Sequence, residues 1–388
     1  MLNYMQNMPY YFYDLDLLNR TINEVELNIR NTSFRVHYAI KANNNKKVVS
    51  FIAKRNFGAD CVSAGEIMLA LECGFNASDV VFAGVGKTDE EIEYALLNNI
   101  GMIHCEGLEE IQVINEIAGR LNRRPKVALR LNPDVDARTH EKISTGMYEN
   151  KFGFSPEEFA ELTQIGNTLS NIEIVGLHFH VGSQITDMQV FRQLAERINE
   201  LVPVYEKYFG TLQYLNVGGG LGIDYQNPDE NQIADFRNYF AAFRQYLNVT
   251  VPVHFELGRS IVAQCGSLRT KVLYIKRSGA KTFAVCDAGM TELLRPAMYN
   301  AYHKIEKFNN SLALSNGSIY DVVGPLCESS DFFGKNVPLP ELQRGDILSI
   351  RSCGAYAESM SLNYNGRTKI GSITSDHVLT QFRIIKVA

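Results

Sequence analysis

The chain has 388 residues, 45% of them hydrophobic and 21% charged, with a formal net charge of −5. That length is too great for one core and predicts two or three domains of a soluble globular protein, and the acidic balance argues against a nucleic-acid partner met by a basic face. The seven cysteines are scattered and never in Cys-x-x-Cys spacing, which predicts reduced thiols in a cytoplasmic protein, with neither a disulfide framework nor a zinc site.

MLNYMQNMPYYFYD lacks a basic segment followed by an apolar run, so no signal peptide is expected. No apolar run approaches the roughly 20 residues of a membrane-spanning helix, so no membrane partner is expected either. Leu15 to Asn31 has the apolar spacing of a helix. Val36 to Ile40, rich in β-branched and aromatic residues, reads as a buried strand ending on Lys41. Helix Lys46–Lys54 precedes strand Ala59–Val62, and helix Gly65–Cys73 precedes strand Val80–Ala83. Thr88 caps a helix running to Leu97, with Asp89 and Glu90 in its first turn. Met102–His104 is a strand, Leu108–Leu121 a helix and Val127–Leu131 a strand, followed by a polar loop from Asn132 to Asn150. Ser155 caps the next helix. Strands Ile174–Phe179, Leu212–Val217 and Val251–Phe255 then alternate with helices Met188–Tyr208 and Ile233–Leu247.

Eight strands, each but the last followed by a helix, over about 220 residues predict a (β/α)8 TIM-like barrel. A doubly wound open sheet is the rival, but the Gly-x-Gly-x-x-Gly expected after its first strand is absent. From about Ile261 the texture changes. Short runs at Thr270–Ile275, Thr282–Val285, Asp321–Val323, Ile347–Ile350 and Val378–Ile385 alternate with turn residues and predict an all-β C-terminal domain (barrel or sandwich), with Asn309–Ser318 as a loop. The Tyr10–Tyr13 segment is placed to join it. The expected division is 25–260 for the barrel and 1–24 plus 261–388 for the β-domain.

Barrel active sites lie at the carboxyl ends of the strands. Those ends carry Lys41, Cys61 and Ser63, Gly84, His104, Asn132, His178 and His180, the Gly218-Gly219-Gly220 run and Glu256. His178 and His180 share a strand face by the two-residue period and read as metal ligands, as a ring-stacking imidazole, or as buried hydrogen-bonded histidines. Arg130 and Asn132 nearby are poor company for a cation, so no metal is expected. The glycines, with Ser183, suit backbone N–H groups approaching an anion, or simply a tight turn. Glu256 suits a pyridine nitrogen, and Arg259 a phosphate or substrate carboxylate; a local ion pair is the plainer reading of both. Together these are the needs of pyridoxal phosphate.

The motifs HYAIKAN, GADCVSAGE, FAGVGKTDEEI, RLNPDVDARTH, GLHFHVGSQ, NVGGGLGIDY, HFELGR, DAGMTELLRPAMY, VVGPLCESSD and GAYAESMSLNYN occur in order along nearly the whole chain. In them the chain resembles the pyridoxal-phosphate decarboxylases of the alanine-racemase-like barrel class, and within it the branch acting on meso-diaminopimelate. That resemblance implies that Lys41 carries pyridoxal 5′-phosphate, His180 stacks on its ring and Glu256 pairs with the ring nitrogen. Ser183 and Gly218, Gly219 and Gly220 would bind its phosphate, with the Glu256–Arg259 segment, Gly258 included, closing the site. Arg259, Arg295, Tyr299 and Glu328 match substrate-binding positions, and Tyr356 one touching both cofactor and substrate. Cys327 matches the proton donor. The resemblance also implies a homodimer with shared active sites, Cys327 and Glu328 reaching the site of the partner subunit and the β-domain completing it.

Three departures stand out: Leu257 where the family often has Pro, Ala357 and Glu358 after Tyr356 where it often has Gly and Phe, and Ser330 where it often has Gly. None touches the cofactor positions. The expected reaction is conversion of meso-2,6-diaminopimelate to L-lysine and CO2. The rivals are a decarboxylase of ornithine, arginine or carboxynorspermidine, a related racemase, and a non-catalytic binding homologue.

Overall fold

A computed structural model of the protein describes residues 8–136, 151–308 and 317–376. The chain divides into two compact units, one holding 22–222 and 235–258, the other 1–21, 223–234 and 259–388. Among the described residues no helix is long and apolar enough to cross a membrane.

The chain opens with strand β1 (Tyr10–Tyr13) and helix α1 (Leu15–Ile29). In the first unit eight parallel strands close a barrel: β2 (Phe34–Ala39), β3 (Gly58–Cys61), β4 (Val80–Phe82), β5 (Met102–Cys105), β6 (Lys126–Arg130), β7 (Glu173–His178), β8 (Tyr214–Asn216) and β9 (Val253–Leu257). They are the eight strands expected, with ends shifted by a residue or two. Closure comes from β2 lying beside β9, with Val36 opposite Phe255 and His37 opposite Glu256.

Helices α2 (Lys46–Ala53), α3 (Ala64–Cys73), α4 (Asp89–Leu97), α5 (Leu108–Arg120), α6 (Pro156–Ile165), α7 (Met188–Phe209) and α8 (Phe236–Tyr246) fill the crossovers. Local sequence sets their ends. Thr88 and Ser155 form reciprocal capping boxes with Glu91 and Glu158, and Gly74 ends α3 with φ of 102°. Helix α8 starts later than its apolar spacing suggests, because Asp235 takes the Asn238 N–H at 3.1 Å and caps it there. Its aromatic face packs Phe240 and Phe243 edge-on against Phe255 of β9, at 5.0 and 5.2 Å between centroids.

The second unit is a mostly β fold. Its strands are β10 (Gly266–Ser278), β11 (Lys281–Cys286), β12 (Ile305–Lys307), β13 (Ser318–Val323), β14 (Phe332–Leu339), β15 (Ile347–Ile350) and β16 (Gly371–Thr374), with short helices α9 (Arg259–Val262) and α10 (Arg295–Tyr299). The sheet order is β12-β15-β10-β11-β13-β14, and β1 pairs with β10 and β16 as the N-terminal aromatic segment was expected to. Strands β12, β14 and β16 escaped the sequence reading. In β14 the residues Gly334, Asn336 and Pro338 look like turn signals, and the strand tolerates the proline because it lies at the end of the sheet. The expected strand Val378–Ile385 and most of the Asn132–Asn150 and Asn309–Ser318 loops lie outside the described residues.

Candidate active site

Glu256 ends the barrel's inward polar layer. It is buried and accepts from Asn216 Nδ2 at 3.0 Å and from His178 Nε2 at 3.3 Å, while His104 Nδ1 lies 3.3 Å away. His104 stacks on His178 at 4.1 Å and bonds the Tyr214 hydroxyl through Nε2 at 3.0 Å. Burial pushes His178 down to about 3, helped by His104, so at neutral pH it offers Glu256 an N–H and no charge. Burial alone would raise the Glu256 carboxyl. The approach of His178 and His104 outweighs it and holds the carboxylate well below its ordinary range.

Lys41 sits in the 3₁₀ turn Ile40–Ala42 that follows β2, its side chain 39% exposed and its Nζ 3.5 Å from Oδ2 of Asp60. Asp60 is fully buried, and among the described residues its other oxygen has no hydrogen-bond partner. Burial, then the charge of Glu256, raises its carboxyl to about 6. Gly258 allows the lysine turn to close: a Cβ there would fall 2.9 Å from the Cβ of Ala42 and 3.1 Å from that of Ala39.

The Gly218–Gly220 run follows β8 with φ of 71° at Gly218 and 105° at Gly220, conformations that only glycine adopts readily. Two of its N–H groups are used inside the barrel, Gly218 donating to Asn216 Oδ1 at 2.8 Å and Gly219 to His180 Nδ1 at 3.3 Å. The Gly220 N–H donates to no group among the described residues. Burial, then the charge of Lys41, pushes His180 down to about 3, leaving a neutral ring. Ser183 lies half-buried in the loop after β7.

In the second unit two arginines are buried together. Arg259 donates to the Tyr225 hydroxyl at 2.7 Å and lies 4.8 Å over the Tyr356 ring. Arg295, at the start of α10, donates to His303 Nε2 at 2.7 Å and lies 4.7 Å over the Tyr225 ring. Tyr299, half-buried, ends the same helix. Tyr356 has φ of 56°, unusual for a bulky residue. Cys327 is exposed, and its neighbour Glu328 accepts from the Tyr364 hydroxyl at 2.6 Å.

Several sequence expectations shift. Strand β7 ends at His178, so His180 belongs to the loop and the two imidazoles do not act as one pair. The ligand-type atoms that do converge, within 4.8 Å, belong to His104, His178 and Glu256. Their arrangement is that of imidazoles serving a carboxylate. Cys61 is buried and Ser63 caps α3, accepting from the Glu66 N–H at 3.2 Å, so on β3 it is Asp60 that approaches Lys41. Strand parity could have found Asp60, because Lys41 and the inward residues of β3 meet at one rim. Asn216, Tyr225 and His303 carried no signal of their own. The residues present fit pyridoxal phosphate: a reachable amine, an ionised carboxylate, an open Gly220 N–H and a buried Asp60 oxygen left for a group beside Lys41.

Residues 15–263 match the model of the pyridoxal-dependent decarboxylase family's pyridoxal-binding domain. Diaminopimelate decarboxylase of Bacteroides thetaiotaomicron is 46% identical over 374 residues, 96% of both chains. The crystal structure of diaminopimelate decarboxylase from Helicobacter pylori complexed with L-lysine is 38% identical and superposes with a TM-score of 0.86, covering 95% of this chain and 91% of that one. An arginine decarboxylase of Paramecium bursaria Chlorella virus, 22% identical with a TM-score of 0.83 over 94% of this chain and 95% of its own, shares the fold. With a barrel built around Lys41 and Glu256 and near-complete coverage of these relatives, the chain belongs to the diaminopimelate decarboxylase family of pyridoxal-dependent decarboxylases.

Proposed function

We propose that this chain is a carboxy-lyase that takes CO2 from one end of meso-2,6-diaminopimelate and releases L-lysine, the last step of lysine biosynthesis, with pyridoxal 5′-phosphate as cofactor. The observation that carries the reading is a reachable Lys41 amine and a buried, ionised Glu256 in one barrel, within a chain 46% identical to a diaminopimelate decarboxylase. Bound, the cofactor supplies a sink for the electron pair left when the carbon–carboxylate bond breaks.

Everything else falls to the chain. Lys41 would hold the cofactor through its amine, with Asp60 3.5 Å from its Nζ. Glu256 is assigned to the ring nitrogen, where its charge favours the protonated ring, and neutral His180 to the ring face. Ser183 and the Gly218–Gly220 run are assigned to the phosphate, and Gly258 keeps the lysine turn against the end of β9. Arg259, Arg295, Tyr299 and Tyr356 bind the substrate, the arginines meeting its carboxylates. Cys327 returns the proton from its Sγ to the carbon that has lost CO2, and Glu328 meets the distal amine. Both belong to the partner's site in a homodimer, a reading supported by their exposure and by the family resemblance. The functional division is 25–260 for cofactor binding and 1–24 plus 261–388 for the β-domain; residues 223–234, within the first range, belong to the compact unit of the second. The scattered free cysteines support a cytoplasmic setting.

Product analysis over diaminopimelate stereoisomers, ornithine, arginine and carboxynorspermidine tests the substrate. Lysine from the meso isomer alone is expected, and turnover of any other member in preference to it overturns the assignment. Borohydride treatment of the yellow protein should fix the cofactor's mass on the Lys41 peptide. Sedimentation should give a dimer.

A further inference from the structure

Arg295 is a cation only 5% exposed, and among the described residues it forms no ion pair with a carboxylate. Among the described residues the one hydrogen bond of its side chain goes to His303 Nε2 at 2.7 Å, and the Tyr225 ring supplies its stacking surface. His303 is itself 2% exposed, with Nδ1 2.9 Å from the carbonyl oxygen of Arg351 and 3.7 Å from Cys353 Sγ. A carbonyl only accepts, and a guanidinium only donates. The ring must therefore carry its hydrogen on Nδ1 and present a lone pair on Nε2, a single neutral tautomer set from both sides. Arg351 is anchored in turn, its guanidinium paired to Glu306 at 2.8 Å and Asp229 at 2.9 Å. Burial, and then the charge of Arg295, pushes His303 down to about 3, in keeping with that neutral form.

We propose that His303 is a positioning residue that fixes the Arg295 guanidinium through an uncharged acceptor, so that the arginine's full positive charge stays available to the carboxylate at the unreacting end of the substrate. An aspartate in its place would hold the arginine equally well and cancel the charge. A cation buried without a counter-charge is costly, and the arriving carboxylate relieves that cost, which a substrate lacking the group does not. Selectivity for the distal carboxylate thus begins one residue behind the arginine that contacts it. The inference rests on the proposed assignment of Arg295 to substrate.

The test uses binding, so that it does not depend on turnover. L-lysine keeps the distal carboxylate, and 1,5-diaminopentane lacks it. The affinities of both for the cofactor-loaded protein are measured by spectral titration for the wild type, His303→Gln and His303→Asn, with thermal melts alongside. Glutamine reaches to the Nε2 position and can accept from Arg295; asparagine reaches only to the Nδ1 position and keeps the Arg351 bond. The expected result is a wild type favouring L-lysine, a Gln variant within about threefold of it, and an Asn variant that binds L-lysine about tenfold more weakly with diaminopentane unchanged. A wild type that does not favour L-lysine overturns the Arg295 assignment itself. A selective wild type with Gln and Asn variants that behave alike, or an Asn variant that weakens both ligands equally, overturns the positioning role. So does failure of both variants to fold, which would make the histidine structural.

Discussion

Glu256 in the barrel and Arg295 in the β unit carry opposite charges and are buried by the same device. Glu256 takes hydrogen bonds from Asn216 and neutral His178 at 3.0 and 3.3 Å; Arg295 gives one to neutral His303 at 2.7 Å. Neutral partners reduce the cost of burying a charge without cancelling it. Two other buried charges in the barrel are held differently. Lys87 is paired with Glu110 at 2.6 Å and Arg130 with Glu106 at 2.7 Å. Those pairs are self-satisfied, and Lys87 also ties the carbonyls of Gly84 and His104 together at 2.7 and 2.8 Å, which is architectural work. Among these four groups, neutral partners surround the two proposed to meet a ligand and charged partners hold the two that stitch the fold.

Replacing the charges proposed to meet cofactor and substrate should divide by unit. Lys41→Ala should have the largest effect, a fall in kcat of about 10³-fold or more together with loss of the borohydride-fixed mass. Retained mass on another peptide would displace Lys41 from its role. Glu256→Gln keeps the hydrogen-bonding shape and removes the charge; kcat should drop by about 10²-fold or more with KM little changed. Arg295→Leu should act the other way, raising KM for diaminopimelate by about 10²-fold while kcat stays within a few-fold. Steady-state kinetics on the three variants checks the division. A Glu256 variant impaired only in KM, or an Arg295 variant impaired only in kcat, would break it.

The barrel was legible because its signal is repetitive: eight apolar strands at helix-length intervals, with caps at Thr88 and Ser155 that form as their sequences suggest. Lys41 and Glu256 stand out by falling at strand ends. Asp60 was hidden by parity, since a one-residue error on β3 turns attention to Cys61, which is buried and serves no polar partner near Lys41. The β unit was less legible. Its short strands carry glycine, asparagine and proline, and its contacts join distant segments, Arg259 to Tyr225 and Arg295 to His303, so no local pattern announces them. His303 has no periodicity and no motif, and its character comes wholly from the carbonyl on one side and the guanidinium on the other.

The smallest effect concerns acid stability, and it too sets the barrel against the β unit. His37 is buried with Nε2 2.8 Å from His254 Nδ1 and Nδ1 3.1 Å from the carbonyl of Asp79, and burial brings it down to about 4. Its folded value lies below the unfolded one of about 6.5. Above pH 6.5 neither state binds the proton, so stability is unaffected. As pH falls toward 4 the unfolded chain is protonated first and folding loses about 1.4 kcal/mol per pH unit for each such imidazole. His178 adds to this loss in the barrel and His303 in the β unit, both brought down to about 3. Asp60 and Glu66, raised by burial to about 6 and about 7, run the other way: their folded forms bind protons more readily, so they regain stability over part of the same window. The net slope is therefore a poor guide, and the difference made by one residue is the informative quantity. His37→Gln should be less stable than the wild type at pH 7, through the hydrogen bonds it weakens, yet its stability should fall less steeply between pH 6.5 and 4, by up to about 1.4 kcal/mol per pH unit in denaturant titrations. An unchanged slope would mean that the His37 ring already takes up its proton in the folded barrel.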